Sequence, residues 1–239
     1  MNIRTTITTV GLGTVLALGM TTTATADAGS TTAPRTAKAG ASDKADRAGD
    51  AKTRAGSVIA TYKGKKIDLA KGWGTAKVCS EYPDLSVKCF DNDAQANADL
   101  ATYKKAHPTA FKAAPKGRGD ITPKNAAAGT SKAAYAAAGT PTCNFGWVCI
   151  WQDSNYNGRK LQWSEDGTKT LGQYDFRDKA SSTCNNDEIG GMSLIDYRNN
   201  LPDPEIITSL GGCLRNLADH DYPGVGTGSW NDKADALKM

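Results

Sequence analysis

The residue pattern points to an all-β C-terminal domain, preceded by a small disulfide-pinned α+β mini-domain. Three observations carry that reading. Over residues 142–239, short alternating apolar runs recur between Gly, Asn and Asp clusters, the signature of short antiparallel strands joined by tight turns. Four of the five tryptophans and four of the six cysteines fall in that stretch. Upstream, residues 29–56 and 111–141 are dominated by small and charged residues, and they bracket a patterned segment at 57–110. The 239-residue chain is 39% hydrophobic, so a large part of it is not core. Its net charge of +4 is too mild to argue for nucleic acid, and its longest apolar run is far short of the ~20 residues of a membrane-spanning helix.

From the N-terminus, residues 1–28 read as a secretory signal. Arg4 gives the positive start, Val10–Met20 the short apolar stretch, and Ala24-Thr25-Ala26 or Ala26-Asp27-Ala28 the small-x-small cleavage pattern. Residues 29–56 hold six Lys/Arg against three Asp and nothing apolar larger than Ala apart from Pro34, so they read as a disordered basic linker. In 57–110, Val58–Tyr62 reads as a strand, Lys63–Lys66 as a turn, and Ile67–Leu69 opens a second strand. Cys79 and Cys89 flank a Pro83-Asp84 turn, and Asn97–Ala106 reads as a short amphipathic helix stopping before Pro108. Residues 111–141 read as an Ala/Lys/Gly-rich linker, in which Arg118-Gly119-Asp120 is a chance match to an adhesion tripeptide. The range 142–239 has nine Lys/Arg against fourteen Asp/Glu, net −5, with strands expected at Val148–Trp151, Lys160–Trp163, Ser193–Tyr197 and Ile206–Leu210.

Trp151, Tyr156 and Gly158 are spaced as a folded aromatic hairpin, in which Gly takes a positive φ that other residues resist. The segment Phe176-Arg177-Asp178-Lys179-Ala180-Ser181-Ser182 follows. A trimmed repeat returns as Leu217, Tyr222 and Gly224, then Trp230-Asn231-Asp232-Lys233-Ala234-Asp235-Ala236. With the opening Cys143-Asn-Phe-Gly-Trp-Val-Cys149-Ile-Trp-Gln-Asp, these motifs resemble the secreted bacterial peptidase-inhibitor family typified by the Streptomyces metalloproteinase inhibitors. The resemblance runs from Cys143 to about Ala236 and implies a βγ-crystallin-like double Greek-key sandwich. In calcium-binding members of that fold, each key ends in a segment that supplies oxygen ligands, the donors a hard cation wants. Carried onto this chain, the resemblance implies Asp178, Ser181 and the Lys179 carbonyl from the first segment. From the second it implies Asn231, Asp232 and Lys233, with Asp235 standing where a hydroxyl is expected. Arg177 and Ala236 depart from the pattern. The alternative is that both segments only shape turns through side-chain-to-backbone hydrogen bonds.

Export puts the cysteines in an oxidising space, where an even count reads as disulfides, with fifteen pairings open. Locality favours Cys79–Cys89 and Cys143–Cys149, and leaves Cys184–Cys213 to tie the two keys together. Catalysis has little to stand on. His107 sits at a helix end and His220 in a hairpin, and the acidic pairs Glu165-Asp166 and Asp187-Glu188 lie at turns with nothing to place them across a cleft. The chain therefore reads as a non-enzyme. The expected function is a secreted peptidase inhibitor, with metallopeptidases among its targets, acting through a rigid loop. The segment Leu201, Pro202, Asp203, Pro204, Glu205 and Ile206 fits that role because its prolines restrict φ shortly before Cys213. One alternative is a calcium-binding crystallin-type structural or stress module. Another is a secreted toxin or wall-binding protein whose basic half contacts anionic polymers. The expected partner is an extracellular peptidase, with no nucleic acid, no stable membrane insertion and a monomeric state. No cofactor is required, and calcium is the candidate ligand.

Overall fold

The computed structural model describes residues 56–121, 141–224, 226 and 228–239. The signal-like segment 1–28, nearly all of the basic segment 29–56 and residues 122–140 lie outside the described residues. In the N-terminal part, β1 (Ile59–Tyr62) and β2 (Lys65–Asp68) form a hairpin around Lys63 and Gly64, which both take positive φ. The second strand ends at Asp68, not beyond it, because the Asp68 carboxylate caps the Ala70 N–H of a short 3₁₀ turn at 3.1 Å. A second hairpin pairs β3 (Val78–Glu81) with β4 (Val87–Phe90), and β4 runs parallel beside β1.

Helix α1 spans Asp93–Ala106, one turn longer at its start than the expected Asn97–Ala106. The reason is a cap: the Asn92 side chain accepts the Gln95 N–H at 3.0 Å, and the Gln95 side chain accepts the Asp91 N–H at 3.0 Å. The helix stops at His107, ahead of Pro108.

The C-terminal part forms two Greek keys of one design. In the first, β5 (Trp147–Asp153) and β6 (Asn157–Trp163) make a hairpin. The third strand, β7 (Thr168–Thr170), crosses to the other sheet, and β8 (Ser182–Asn186) returns beside β5. In the second, β9 (Met192–Ile195) and β10 (Glu205–Thr208) make the hairpin. Here β11 (Cys213–Leu214) crosses back to pair with β8, and β12 (Ala236–Lys238) lies between β9 and β7. Each key thus lends its third strand to the other's sheet, which is the double Greek-key sandwich expected. β7, β8, β11 and β12 were not foreseen: β7, β11 and β12 are two or three residues long, and the fully buried β8 is polar, Ser182-Thr-Cys-Asn-Asn186.

The strand order of the larger sheet is β11-β8-β5-β6-β3-β4-β1-β2. This corrects the expectation of a separate mini-domain at 57–110. β3 pairs in parallel with β6, Val78 opposite Lys160 through Glu81 opposite Trp163, so the N-terminal strands continue the sandwich sheet and cover its edge. Both faces of its inner strands, β3, β5 and β8, are largely buried, whereas β1 and β2 stay partly exposed. Val148, Ile150, Leu161 and Trp163 face the smaller sheet and share a core with its Met192, Leu194 and Leu237 and with Trp73 and Phe176. Trp147, Cys149 and Trp151 face the other way, onto Tyr82 and onto Leu100 and Tyr103 of α1. Residues 111–121, expected to be free linker, pack on this outer layer. Phe111 stacks at 6.3 Å from Trp147, and Ile121 bridges to Cys143. Disulfides join Cys79–Cys89, Cys143–Cys149 and Cys184–Cys213, and all described cysteines are paired. Among the described residues no helix is long and apolar enough to cross a membrane.

Candidate functional site

The two matched segments meet on one side of the sandwich. The Asp178 N–H donates to the Ala234 carbonyl at 2.9 Å, and the Asp232 N–H donates to the Ala180 carbonyl at 3.1 Å, so each segment hydrogen-bonds the other in the same way. Asp178 and Asp232 both take left-handed backbone, φ 53° and 56°, a conformation that short polar side chains tolerate. Between the segments lies a polar cleft of about 630 Å³, lined by Asp178, Lys179, Ser181, Asn231 and Asp232. Ser181 Oγ donates to Asp232 Oδ1 at 3.3 Å, and the Asn231 amide donates to Asp232 Oδ2 at 2.7 Å. Burial raises the Asp178 carboxyl above its ordinary value, against the lowering influence of Arg177. Asp153 and Asn216 line the same cleft. Neither was foreseen, although each lies close to a conspicuous hairpin motif. Among the described residues no group of three or more His, Cys, Asp or Glu side chains is gathered for a metal ion.

Asp235 does not join the cleft, which corrects its reading as a replacement ligand. It is 2% exposed, ion-pairs with Arg177, and accepts the Tyr197 N–H at 2.7 Å. Arg177 and Asp235 therefore neutralise each other: the cation at the first position of one segment is drawn onto the carboxylate at the fifth position of the other. Burial pushes the Asp235 carboxyl up to about 7, with the Tyr197 N–H and Arg177 opposing the shift and Asp196 adding to it. The Lys179 ammonium turns away onto the Asp175 carbonyl at 3.0 Å, and the Lys233 ammonium lies 5.8 Å from the Tyr222 ring. Only the backbone carbonyls of these lysines are suited to a cation.

The segment Leu201–Ile206 divides in two. Leu201 and Pro202 stand exposed at the tip of the β9–β10 connection, Pro204 is buried, and Glu205 and Ile206 already belong to β10. Arg198 staples this loop, donating from Nε and Nη2 to the Pro202 carbonyl at 3.0 and 2.7 Å, while its N–H reaches Asp203 Oδ1 at 2.9 Å. Arg118 and Asp120 of the tripeptide are engaged with the body of the protein. Arg118 donates to the Asp187 and Glu188 carbonyls, and Asp120 accepts the Phe145 N–H at 2.8 Å. His107 stacks at 4.3 Å on Tyr103.

Residues 136–194 match the model of peptidase inhibitor family I36, a stretch that takes in β5 to β8 and most of β9. No curated protein matches the chain. Among solved structures, a βγ-crystallin from Ciona intestinalis is 18% identical, with 39% of this chain and 99% of that one covered and a TM-score of 0.28. The N-terminal domain of Protein S is 11% identical, covering 38% and 92% of the two chains, with a TM-score of 0.27. A double-mutant βγ-crystallin domain from Clostridium beijerinckii is 23% identical over 38% and 93%, with a TM-score of 0.25.

Proposed function

We propose that this protein is a secreted inhibitor that holds a rigid loop in the substrate cleft of an extracellular peptidase. The observation that carries the reading is the match of residues 136–194 to a peptidase inhibitor family. The architecture supports it. Three disulfides and a sheet whose inner strands are buried on both faces give a stiff frame, and a stiff frame lowers the freedom lost when a loop docks. Such a loop occupies the cleft without being productively cut. Export by the signal-like segment 1–28 places the inhibitor where such peptidases act. Metallopeptidases are among the targets to be tried first, and Leu201–Ile206, stapled by Arg198, is a loop of the required kind. The test is to titrate the full mature chain against thermolysin, subtilisin, trypsin and papain, with and without calcium. Stoichiometric inhibition of at least one is expected. Absence of inhibition of all four at large molar excess overturns the reading.

A second reading, a calcium-binding module, is favoured by one observation: Asp178, Ser181, Asn231 and Asp232 line a single cleft. A divalent cation there has oxygen donors from both segments, but only two carboxylates among the implied ligands. Affinity in the weak extracellular range, about 10⁻⁴–10⁻³ M, is expected. At millimolar calcium that adds on the order of 1 kcal/mol to stability. The melting temperature of the full chain is expected to rise by a few degrees with calcium and to return with chelator. Asp178→Ala and Asp232→Ala should each remove part of the rise, and a melt insensitive to both calcium and chelator leaves the segments as turns.

A further inference from the structure

The connection from β8 to β9, Asp187–Gly191, carries Ile189, which at 70% exposure is the most exposed of the large apolar side chains described. The loop beneath it is held from several directions. Asn185, only 1% exposed, spans its neck: Oδ1 accepts the Asp187 N–H at 3.1 Å, and Nδ2 donates to the Thr208 carbonyl at 3.0 Å and the Gly190 carbonyl at 3.4 Å. Arg118 reaches over the Phe145 ring and donates to the carbonyls of Asp187 and Glu188. Lys112 ion-pairs with Glu188 Oε2 at 2.6 Å, and Asp187 Oδ1 accepts the Glu188 N–H at 2.6 Å. The Cys184–Cys213 disulfide lies just upstream. Glu188 is thus turned onto Lys112, and Asp187 onto the loop's own backbone. Ile189 alone is presented, with Ile207 (62% exposed) beside Gly191.

We infer that Asp187–Gly191 is the inhibitory contact, and that Ile189 enters an aliphatic specificity pocket of the target peptidase. The inference rests on the inhibitor reading above and names the part of the surface that does the work. Two facts select this loop over Leu201–Ile206. The stretch matched to the inhibitor family contains 187–191 and ends before 201. The two loops also lie at opposite ends of the β9–β10 hairpin, so a single cleft does not take both. A braced loop loses little freedom on docking, and one apolar side chain filling a pocket is the usual form of an interface anchor. The pocket's chemistry follows: a peptidase that cuts beside branched aliphatic residues, such as thermolysin, accepts this loop, and trypsin, whose pocket selects cations, does not.

The test compares the full-length protein with Ile189→Asp, Ile189→Val, Leu201→Asp and Leu85→Asp against thermolysin, subtilisin and trypsin. Ile189→Asp should weaken inhibition about thirtyfold or more, and Ile189→Val, one methylene smaller, about fourfold. Leu85→Asp, on the β3–β4 turn, should change nothing. All three sites are exposed, so unchanged melting curves confirm that folding is intact. If the parent protein inhibits but Ile189→Asp inhibits equally well, or if only Leu201→Asp loses inhibition, the assignment of the loop falls and the inhibitor reading stands. Inhibition of trypsin alone overturns the aliphatic pocket. Inhibition of none of the enzymes overturns both readings.

Discussion

Arg177 and Asp235 show how one buried carboxylate sets a pH dependence. Asp196, Asp178, Arg177, Arg198, Tyr222 and Lys233 surround this region, and the Tyr222 hydroxyl donates to Asp196. With its carboxyl raised to about 7, folded Asp235 keeps a proton that the unfolded chain releases near pH 4. Its contribution to stability is therefore full below about pH 4 and is lost as pH rises through about 7. Asp235→Asn still accepts the Tyr197 N–H through its amide oxygen. The melting temperature of this variant relative to the parent should climb between pH 5 and pH 8, by the equivalent of on the order of 2 kcal/mol, in chelator. A difference that stays flat with pH shows that Asp235 does not titrate in that window. Lys160 poses a second test. Its ammonium is 1% exposed and sits 2.8 Å from Asp93, which is 38% exposed. Burial lowers the Lys160 pKa while Asp93 opposes the shift. Removing the partner strands a buried charge, whereas removing the charge leaves Asp93 to water. Asp93→Ala should cost about 2 kcal/mol or more in urea unfolding, and Lys160→Met less than about 1 kcal/mol. The reverse order refutes the argument.

Among the elements, the β5–β6 hairpin turns through strained backbone. The Trp151 and Tyr156 rings meet edge-on at 5.2 Å, and Asn155 and Tyr156 both take positive φ before Gly158 at φ 76°. A Cβ on Gly158 would stand 2.6 Å from Asp153 Oδ2 and 3.2 Å from Gln152 Cβ. The carboxylate can swing aside, but the backbone conformation cannot change without opening the turn. Gly158→Ala should therefore cost about 2 kcal/mol, a fall of about 4–8 °C in melting temperature. A fall of under about 1 °C, read by circular dichroism, shows that the hairpin relaxes freely.

For the whole molecule, the parallel pairing of β3 with β6 decides what folds as a unit. All described residues belong to one compact unit. Without residues 57–110, the β6 edge loses its partner strand and Trp147 and Trp151 lose Tyr82, Leu100 and Tyr103. The full chain should melt in a single calorimetric transition. The fragment 142–239 should melt well below it or self-associate through the bared edge. A monomeric fragment melting at the parent temperature shows that the C-terminal part is self-sufficient.

Features that depend on neighbours in the chain were legible from the residues. Alternation in Val148–Trp151 and Lys160–Trp163, the Trp151–Tyr156–Gly158 spacing, and the close cysteine pairs all state a strand, a turn or a short cross-link within a few positions, because side-chain direction and turn strain are local properties. The meeting of the Asp178 and Asp232 segments was implied only by the resemblance to Greek-key domains, not by the residues themselves. What remained was non-local. Polar β8 is a central strand only because β5 and β11 pair with it. Residues 57–110 read as a mini-domain because their pattern describes their own strands and not the open edge of β6 awaiting them. Asp235 read as a ligand because its distance from Arg177, 58 positions away in sequence, exists only once the sheets are packed. The loop at Ile189 showed as an ordinary acidic turn, and only packing brought Arg118 and Lys112 around it. Strand order, burial of both sheet faces and the partners of a charged side chain follow from which surfaces exclude water together, and tertiary structure alone sets that.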